Sequence, residues 1–213
     1  MRCVILRISA IIPAFNEEGR IEGVLDTIVT ANIFSQIIVV DDGSTDNTSQ
    51  IAGRYPIELI ALPYNKGKAE AVKQGLSACN GEIIVLLDAD LIGLTKEHIL
   101  HLVKPIQNKE TEMTIGIFKG GRLLTDMAQK IAPNLSGQRA FNSYLAEEII
   151  MMDTSGYSIE VALKKLIRKR GIKTKWVILQ NISHVTKEEK LGFLKGTQWR
   201  FKMYRDIIKY WFN

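Results

Sequence analysis

Two aspartates one residue apart close an apolar run in "GEIIVLLDAD", where Asp88 and Asp90 follow the hydrophobic stretch from Ile83 to Leu87. In a strand, residues i and i+2 point to the same side, so the two carboxylates are predicted to aim together. Carboxylates this close do not both stay ionised cheaply without a cation. Mg2+ or Mn2+ suits them, because hard cations take oxygen ligands and keep coordination places for diphosphate oxygens. The plainer alternative is that both acids end the strand and cap a turn.

Similar chemistry recurs at two other places. In "VVDDGSTDNT", Gly43 permits a tight turn and Ser44, Thr45 or Asp46 can cap the helix that follows. Capping leaves Asp41 and Asp42, directly on the strand end, without a role; one of them can accept a hydrogen bond from a nucleobase N–H. In "IIPAFNEE", Pro13 stops a strand and Asn16 and Glu17 begin a helix, where acidic groups are favoured. "YNKGKAEA" places Gly67 where the backbone turns or approaches something closely. Beside it, Lys66 and Lys68 are either surface charges or counter-charges for a nucleotide's phosphates.

The elements that must position these residues follow from the hydrophobic periods. "CVILRISAII", "QIIVVDD", "IELIAL" and "EIIVLLDAD" read as buried strands. Between them, "EEGRIEGVLDTIVTA", "DNTSQIAGRY" and "KGKAEAVKQGLSAC" read as helices, with Ile21, Leu25 and Ile28 on one inward face and Ala69, Val72 and Leu76 on another. This alternation predicts an α/β fold, an open, mostly parallel sheet with helices on both faces. Ligands of such sheets gather beyond the carboxyl ends of the strands, the edge that carries all three acidic motifs. From residue 119 the pattern loosens into a loop and short helices covering that edge. "SIEVALKKLIRKR" then reads as a helix and "IKTKWVILQ" as a late strand.

Bulk properties narrow the class. The chain has 213 residues, is 46% hydrophobic and 24% charged, and carries a net charge of +5, which favours anionic partners. The basic stretch "KKLIRKRGIKTK" supplies much of the excess, as a solvated helix face or as a contact for phosphate or anionic lipid. No aromatic-interleaved basic patch points to nucleic acid. Cys3 and Cys79 lack metal-type spacing and fit a reducing compartment. The start reads as a first strand and not a signal peptide, and no apolar stretch has membrane-span length. The expected location is the cytoplasm, with peripheral contact at the inner face of the membrane as an extension.

Taken in order and spacing, "PAFNEE", "VVDDGSTDNT", "NKGKAEAVKQGL" and "GEIIVLLDAD" resemble the nucleotide-sugar half of a family 2 glycosyltransferase with the GT-A fold. The resemblance implies that Pro13, Ala14, Asn16 and Glu17 line a nucleoside pocket, that Asp41 or Asp42 contacts the base, and that Gly67 and Lys68 lie along the nucleotide. It implies further that Asp88 and Asp90 hold a divalent metal on the donor diphosphate. "LSGQRAF" and "GYSIEVAL" look like acceptor-side elements of glucosyl-3-phosphoglycerate synthases and polyprenyl-phosphate sugar transferases. In the former group a late histidine completes the metal site, and His184 falls at that place. The arginine that precedes it there is replaced by Asn181, Ile182 and Ser183, a departure from a phosphoglycerate acceptor.

The expectation is one glycosyltransferase domain over residues 1–194, with a nucleotide-sugar half (1–92) and an acceptor half (93–194), then a C-terminal amphipathic helix over 195–213. That tail, "TQWRFKMYRDIIKYWFN", is read as packing on the domain or on a homodimer partner, or as lying on a membrane surface. Arg139 is a candidate phosphate-holding fork. Asp90, Glu160 and Asp153 are candidate catalytic acids, with Glu148 and Asp126 as further candidates for a general base. Glu160 lies at the edge of an apolar helix face, where pairing with a lysine is the structural alternative. A nucleotidyltransferase and a non-catalytic nucleotide-binding scaffold are the competing readings. The former lacks its glycine-rich, arginine-containing loop, because "PAFNEE" stands there.

Overall fold

The computed structural model of the protein describes residues 6–119, 136–154 and 158–184. The chain divides into two units, Met1–Ser183 and His184–Asn213, and apart from His184 the second lies outside the described residues, as does the expected tail helix. The first four strands, β1 (Ile8–Ala14), β2 (Gln36–Asp41), β3 (Glu58–Ala61) and β4 (Ile83–Leu86), are the expected apolar runs. They alternate with α1 (Ile21–Ala31), α2 (Thr48–Ala52) and α3 (Lys68–Ala78). Then come β5 (Leu91–Ile92), α4 (Lys96–Gln107), β6 (Met113–Lys119), β7 (Arg139–Asn142), α5 (Ala146–Met151), α6 (Ile159–Arg170), β8 (Thr174–Gln180) and β9 (Ser183–His184). Among the described residues no helix is long and apolar enough to cross a membrane.

Among the described residues, seven strands form one sheet in the order β3-β2-β1-β4-β7-β6-β8. The pairs among β1 to β4 are parallel, β7 runs antiparallel to both its neighbours, and β6 and β8 are parallel. The two faces of the strands feed two apolar layers, as a period of two requires. Ala10, Ile12, Val39, Ile83 and Val85 pack under α1 and α4. Ile11, Ile38, Val40, Ile84 and Leu86 pack under α3, α5 and α6.

Four expectations are corrected. Pro13 lies within β1 instead of stopping it, and Asn16 and Glu17 stand in the loop before α1, which begins at Ile21. The fourth strand stops at Leu86 instead of running through Asp90. After the Leu87 N–H bonds the Ile11 carbonyl at 3.1 Å, Pro13 has no N–H with which to extend the ladder. Asp88 and Asp90 therefore lie beyond the strand, and strand alternation no longer governs Asp90. The second helix ends at Ala52, short of Tyr55, because Tyr55 precedes Pro56 and is pushed out of helical conformation. Finally, Arg139–Asn142, expected in a covering loop, is a central strand between β4 and β6.

Candidate active site

The loop after β1 is knitted to the loop after β2. Asn16 adopts a left-handed conformation (φ 54°), its N–H donates to Ser44 Oγ at 2.9 Å, and its Oδ1 accepts from the Thr45 N–H at 2.9 Å. The Glu17 N–H donates to Thr48 Oγ1 at 2.8 Å, and the buried Glu17 carboxylate meets Arg20 at 3.2 Å. Ala14 anchors the same junction, its carbonyl accepting from the Asp42 N–H at 2.8 Å.

Asp41 and Asp42 are both buried and both engaged. Asp41 accepts from the Ser44 N–H at 3.0 Å and from the hydroxyls of Ser44 and Ser49, so it closes the turn into α2. Asp42 reaches across to the loop before α3, accepting from the N–H groups of Lys66 (2.7 Å) and Gly67 (2.8 Å). Gly67 holds φ +94° as the N-cap of α3, a conformation that side chains other than glycine's rarely adopt. In this way the β2 end fixes where α3 begins, and hence where Lys68 stands.

Asp88 meets its counter-charge in this same chain. Leu87 and Ala89 join the layer under α1 and α4, while Asp88 faces α3 and α6. Its Oδ1 lies 2.7 Å from Lys68 Nζ, and its Oδ2 accepts from Gln138 Nε2 at 2.7 Å. The Lys68 ammonium is simultaneously 2.7 Å from Glu160 Oε1. Burial disfavours the Lys68 charge, but the carboxylates of Asp88 and Glu160 outweigh it and raise the ammonium above its usual range. Burial likewise pushes the Glu160 carboxyl up, and Lys68 overrides it, leaving Glu160 below the usual carboxylate range. Such a carboxylate is a weak base.

The "LSGQRA" segment presses on this group. Gly137 has room for no side chain: a Cβ there would sit 2.5 Å from Asp88 Oδ2 and 2.8 Å from Lys68 Nζ. Ser136 Oγ donates to Gln138 Oε1 at 3.1 Å and so orients the amide that holds Asp88. Arg139 departs from the expected phosphate fork. Its side chain is 1% exposed, its Nε donates to the Ser136 carbonyl at 3.1 Å, and its Nη1 lies 3.8 Å from Met113 Sδ. On β7 the alternation turns it into the layer beneath α6; burial pushes its guanidinium down to about 10, against the opposing charge of Glu160.

Pro13, Lys68, Asp88, Arg139 and Glu160 line one small cavity. Beside it an open cleft of about 610 Å3 is walled by Lys66, Gly67, Lys68, Lys73, Asp153 and Glu160. Asp153 is exposed on that wall. Glu148 is instead bonded to Arg170 at 2.6 and 2.8 Å. Asp90 is half-buried in the turn before β5. Asp126 and the side chain of His184 lie outside the described structure, and among the described residues no three acidic, histidine or cysteine side chains converge on a metal position. The donor chemistry at Asp88 nonetheless fits a cation, since an ammonium already occupies one of its oxygens. Sequence reasoning missed Gln138, and missed that Lys68 is the partner of Asp88; the glycine of "SGQRA" was the available signal.

The chain is similar to known proteins in sequence and in fold. Dolichyl-phosphate beta-glucosyltransferase of Dictyostelium discoideum is 31% identical over 131 residues, 54% of this chain and 39% of its own length. Glucosyl-3-phosphoglycerate synthase of Mycobacterium tuberculosis is 35% identical over 112 residues, 48% of this chain and 35% of its own. The chain thus spans two fifths or less of these relatives. The crystal structure of the M. tuberculosis synthase with Mn2+, UDP-glucose and phosphoglyceric acid superposes with a TM-score of 0.68 at 28% identity, covering 84% of this chain and 72% of that one. The same enzyme with Mg2+ and UDP gives a TM-score of 0.67. Its sheet is a GT-A fold, as is the mixed, mostly parallel sheet described above. The family model for glycosyl transferase family 2 matches residues 9–126, more than half of the sequence, and the chain belongs to that family.

Proposed function

We propose that the protein transfers a sugar from a nucleoside diphosphate carrier to an acceptor bearing phosphate, with Asp88 and Asp90 as ligands of a divalent cation. The observation that carries this reading is the cation-holding carboxylate of Asp88 at the carboxyl edge of the sheet, beside an open cleft with lysines on its wall. Pro13, Ala14, Asn16 and Glu17 bound the nucleoside side of this edge, with Asp41 and Asp42 holding the loops that shape it. Mn2+ or Mg2+ at Asp88 and Asp90 supplies neutralisation of the charge that develops on the diphosphate leaving group.

Asp153, on the cleft wall, is the base that an inverting reaction would use; Glu160, on the same wall, is held by Lys68. The acceptor's phosphate is the chemistry shared by the two kinds of relative, a lipid phosphate in one and a phosphorylated small acid in the other. The basic, aromatic tail over 195–213 favours the lipid phosphate and a peripheral position at the inner face of the membrane. Calorimetric titration with UDP and with GDP, each with and without Mn2+, tests the donor site. Metal-dependent binding of one nucleotide is expected; binding of neither by the folded protein removes this reading.

A further inference from the structure

A chain that uses Asp88 to hold a metal must do something with that carboxylate when no metal is present. Here each of its oxygens already has a partner from the chain itself: Lys68 Nζ at 2.7 Å on Oδ1 and Gln138 Nε2 at 2.7 Å on Oδ2. Lys68 is shared with Glu160 at 2.7 Å, a carboxylate 92 residues further along the sequence. Gly137 lets the loop close over the pair, since a Cβ would meet both Asp88 Oδ2 and Lys68 Nζ at 2.8 Å or less. Such an arrangement is a built ion pair, and not a chance surface contact.

We propose that Lys68 is a resident counter-ion of the metal site, so that a divalent cation and the Lys68 ammonium exclude each other at Asp88. The inference rests on the donor-site reading above. A divalent cation bonded to Oδ1 at about 2.1 Å would stand close to an ammonium that is itself hydrogen-bonded to the same oxygen, and the two positive charges repel. The lysine therefore has to leave before the cation can settle. Its side chain is 40% exposed and also forms part of the open cleft's wall, so it has somewhere to swing.

What favours the exchange is negative charge arriving in that cleft. A diphosphate compensates the ammonium displaced from Asp88 as well as the incoming cation, whereas a cation arriving alone must displace that ammonium with no anion in the cleft to receive it. The pair Lys68–Glu160 is thus the element through which metal and nucleotide bind cooperatively, and it keeps Asp88 satisfied between turnovers. By linkage, the factor by which the nucleotide tightens the metal equals the factor by which the metal tightens the nucleotide.

The test measures Mn2+ binding to the full chain by the electron paramagnetic resonance signal of free Mn2+, first alone and then with UDP, so that no turnover is needed. In the unaltered protein Mn2+ alone binds weakly and UDP strengthens it. Lys68→Met is expected to bind Mn2+ alone about tenfold more tightly, and the gain brought by UDP shrinks by a similar factor. Because the single variant leaves Glu160 without its lysine, Lys68→Met/Glu160→Gln is measured beside it, with thermal unfolding of each to confirm the fold. Metal affinity that is unchanged or weaker in both variants, while the unaltered protein binds Mn2+ and UDP, overturns the inference alone. If the unaltered protein binds neither, the donor-site reading falls and this inference with it.

Discussion

Lys68 and Glu160 show how a single ion pair can be invisible in a sequence and decisive in the fold. The motif around Asp88 states that a positive partner is needed, and the lysine stands in plain view in "NKGKAEA". What joins them is the sheet: the chain just beyond the end of β4 puts Asp88 toward α3 and α6, and Asp42 sets the start of α3. Pairing across 92 residues is a property of packing, so it is not written in local spacing. Its energetics have a definite sign. The Glu160 carboxyl is held below its usual 4.5, so its contribution is present above that pH and is lost as pH falls through the folded value. The Lys68 ammonium is raised above 10.5, so its contribution is present below that pH and is lost only in stronger alkali. Glu160→Gln should therefore be less stable than the parent by about 2 kcal/mol at pH 7, below the range for a fully buried pair because the Lys68 side chain is 40% exposed. Urea midpoints measured from pH 7 to pH 3 should show that gap closing in acid; a constant gap would mean the pair contributes nothing. Gly137→Ala acts on the same carboxylate by crowding it. With a Cβ 2.5 Å from Asp88 Oδ2, the loop must shift, and binding of UDP with Mn2+ should weaken at least tenfold while the thermal midpoint moves by only a few degrees.

At the scale of the element, α4 carries a cap that titrates. Thr95 Oγ1 accepts from the His98 N–H at 3.5 Å, and His98 Nδ1 accepts from the Thr95 N–H at 3.1 Å, a capping box with histidine in the place usually taken by glutamate or glutamine. An Nδ1 that accepts must be unprotonated. Burial pushes the His98 imidazole below its usual 6.5, against a hydrogen bond to the Gln180 backbone. The unfolded chain therefore takes up the proton first, and stability falls as pH drops below 6.5. A cap of this kind is worth about 1 kcal/mol, which sets the size of the fall. His98→Gln keeps an acceptor at the same position, so its stability should be flat between pH 7.5 and 5.5 where the parent's declines; equal slopes in denaturant titrations would refute this. Elements differ in how far their sequence announces them. The runs behind β2 and β4 are unbroken Ile, Val and Leu, and the run behind β1 is apolar but for Ser9, so all three read directly as strands, as does α6 from its apolar face. β7 was not, since "RAFN" is four residues long, polar at both ends, and becomes a strand only because β4 and β6 offer it unpaired edges. Likewise the sequence carries β4 four residues too far at its carboxyl end, because the strand's limit lies in the missing N–H of Pro13 on its neighbour.

For the molecule as a whole, the acidic motifs matter because one sheet brings them to one edge. The order β3-β2-β1-β4 places the ends of β1, β2 and β4 side by side, and the loops there are tied to each other by hydrogen bonds that the Asn16 and Glu17 N–H groups donate and the Asp42 carboxylate accepts. A nucleotide seated across that edge would bridge α3, the β1 loop and the β4 turn at once, three segments whose helices and strands belong to both apolar layers. Its binding energy should then appear as stability of the entire unit Met1–Ser183 and not of a loop alone. At a concentration one hundred times the dissociation constant, a ligand that binds only the folded state contributes about 2.7 kcal/mol. For a domain of this size, about 2–4 °C accompanies each kcal/mol, so the thermal midpoint should rise by roughly 5–10 °C with the preferred nucleoside diphosphate and Mn2+ together. Either component alone should give less than half of that rise, because the diphosphate without the cation leaves its charge uncompensated and the cation alone has Lys68 to displace. Differential scanning fluorimetry with UDP and GDP, with and without Mn2+, reads all of these cases on one plate. Equal shifts with and without Mn2+ would mean that Asp88 and Asp90 hold no metal on the nucleotide, and that the ion pair with Lys68 is the resting and the working state alike.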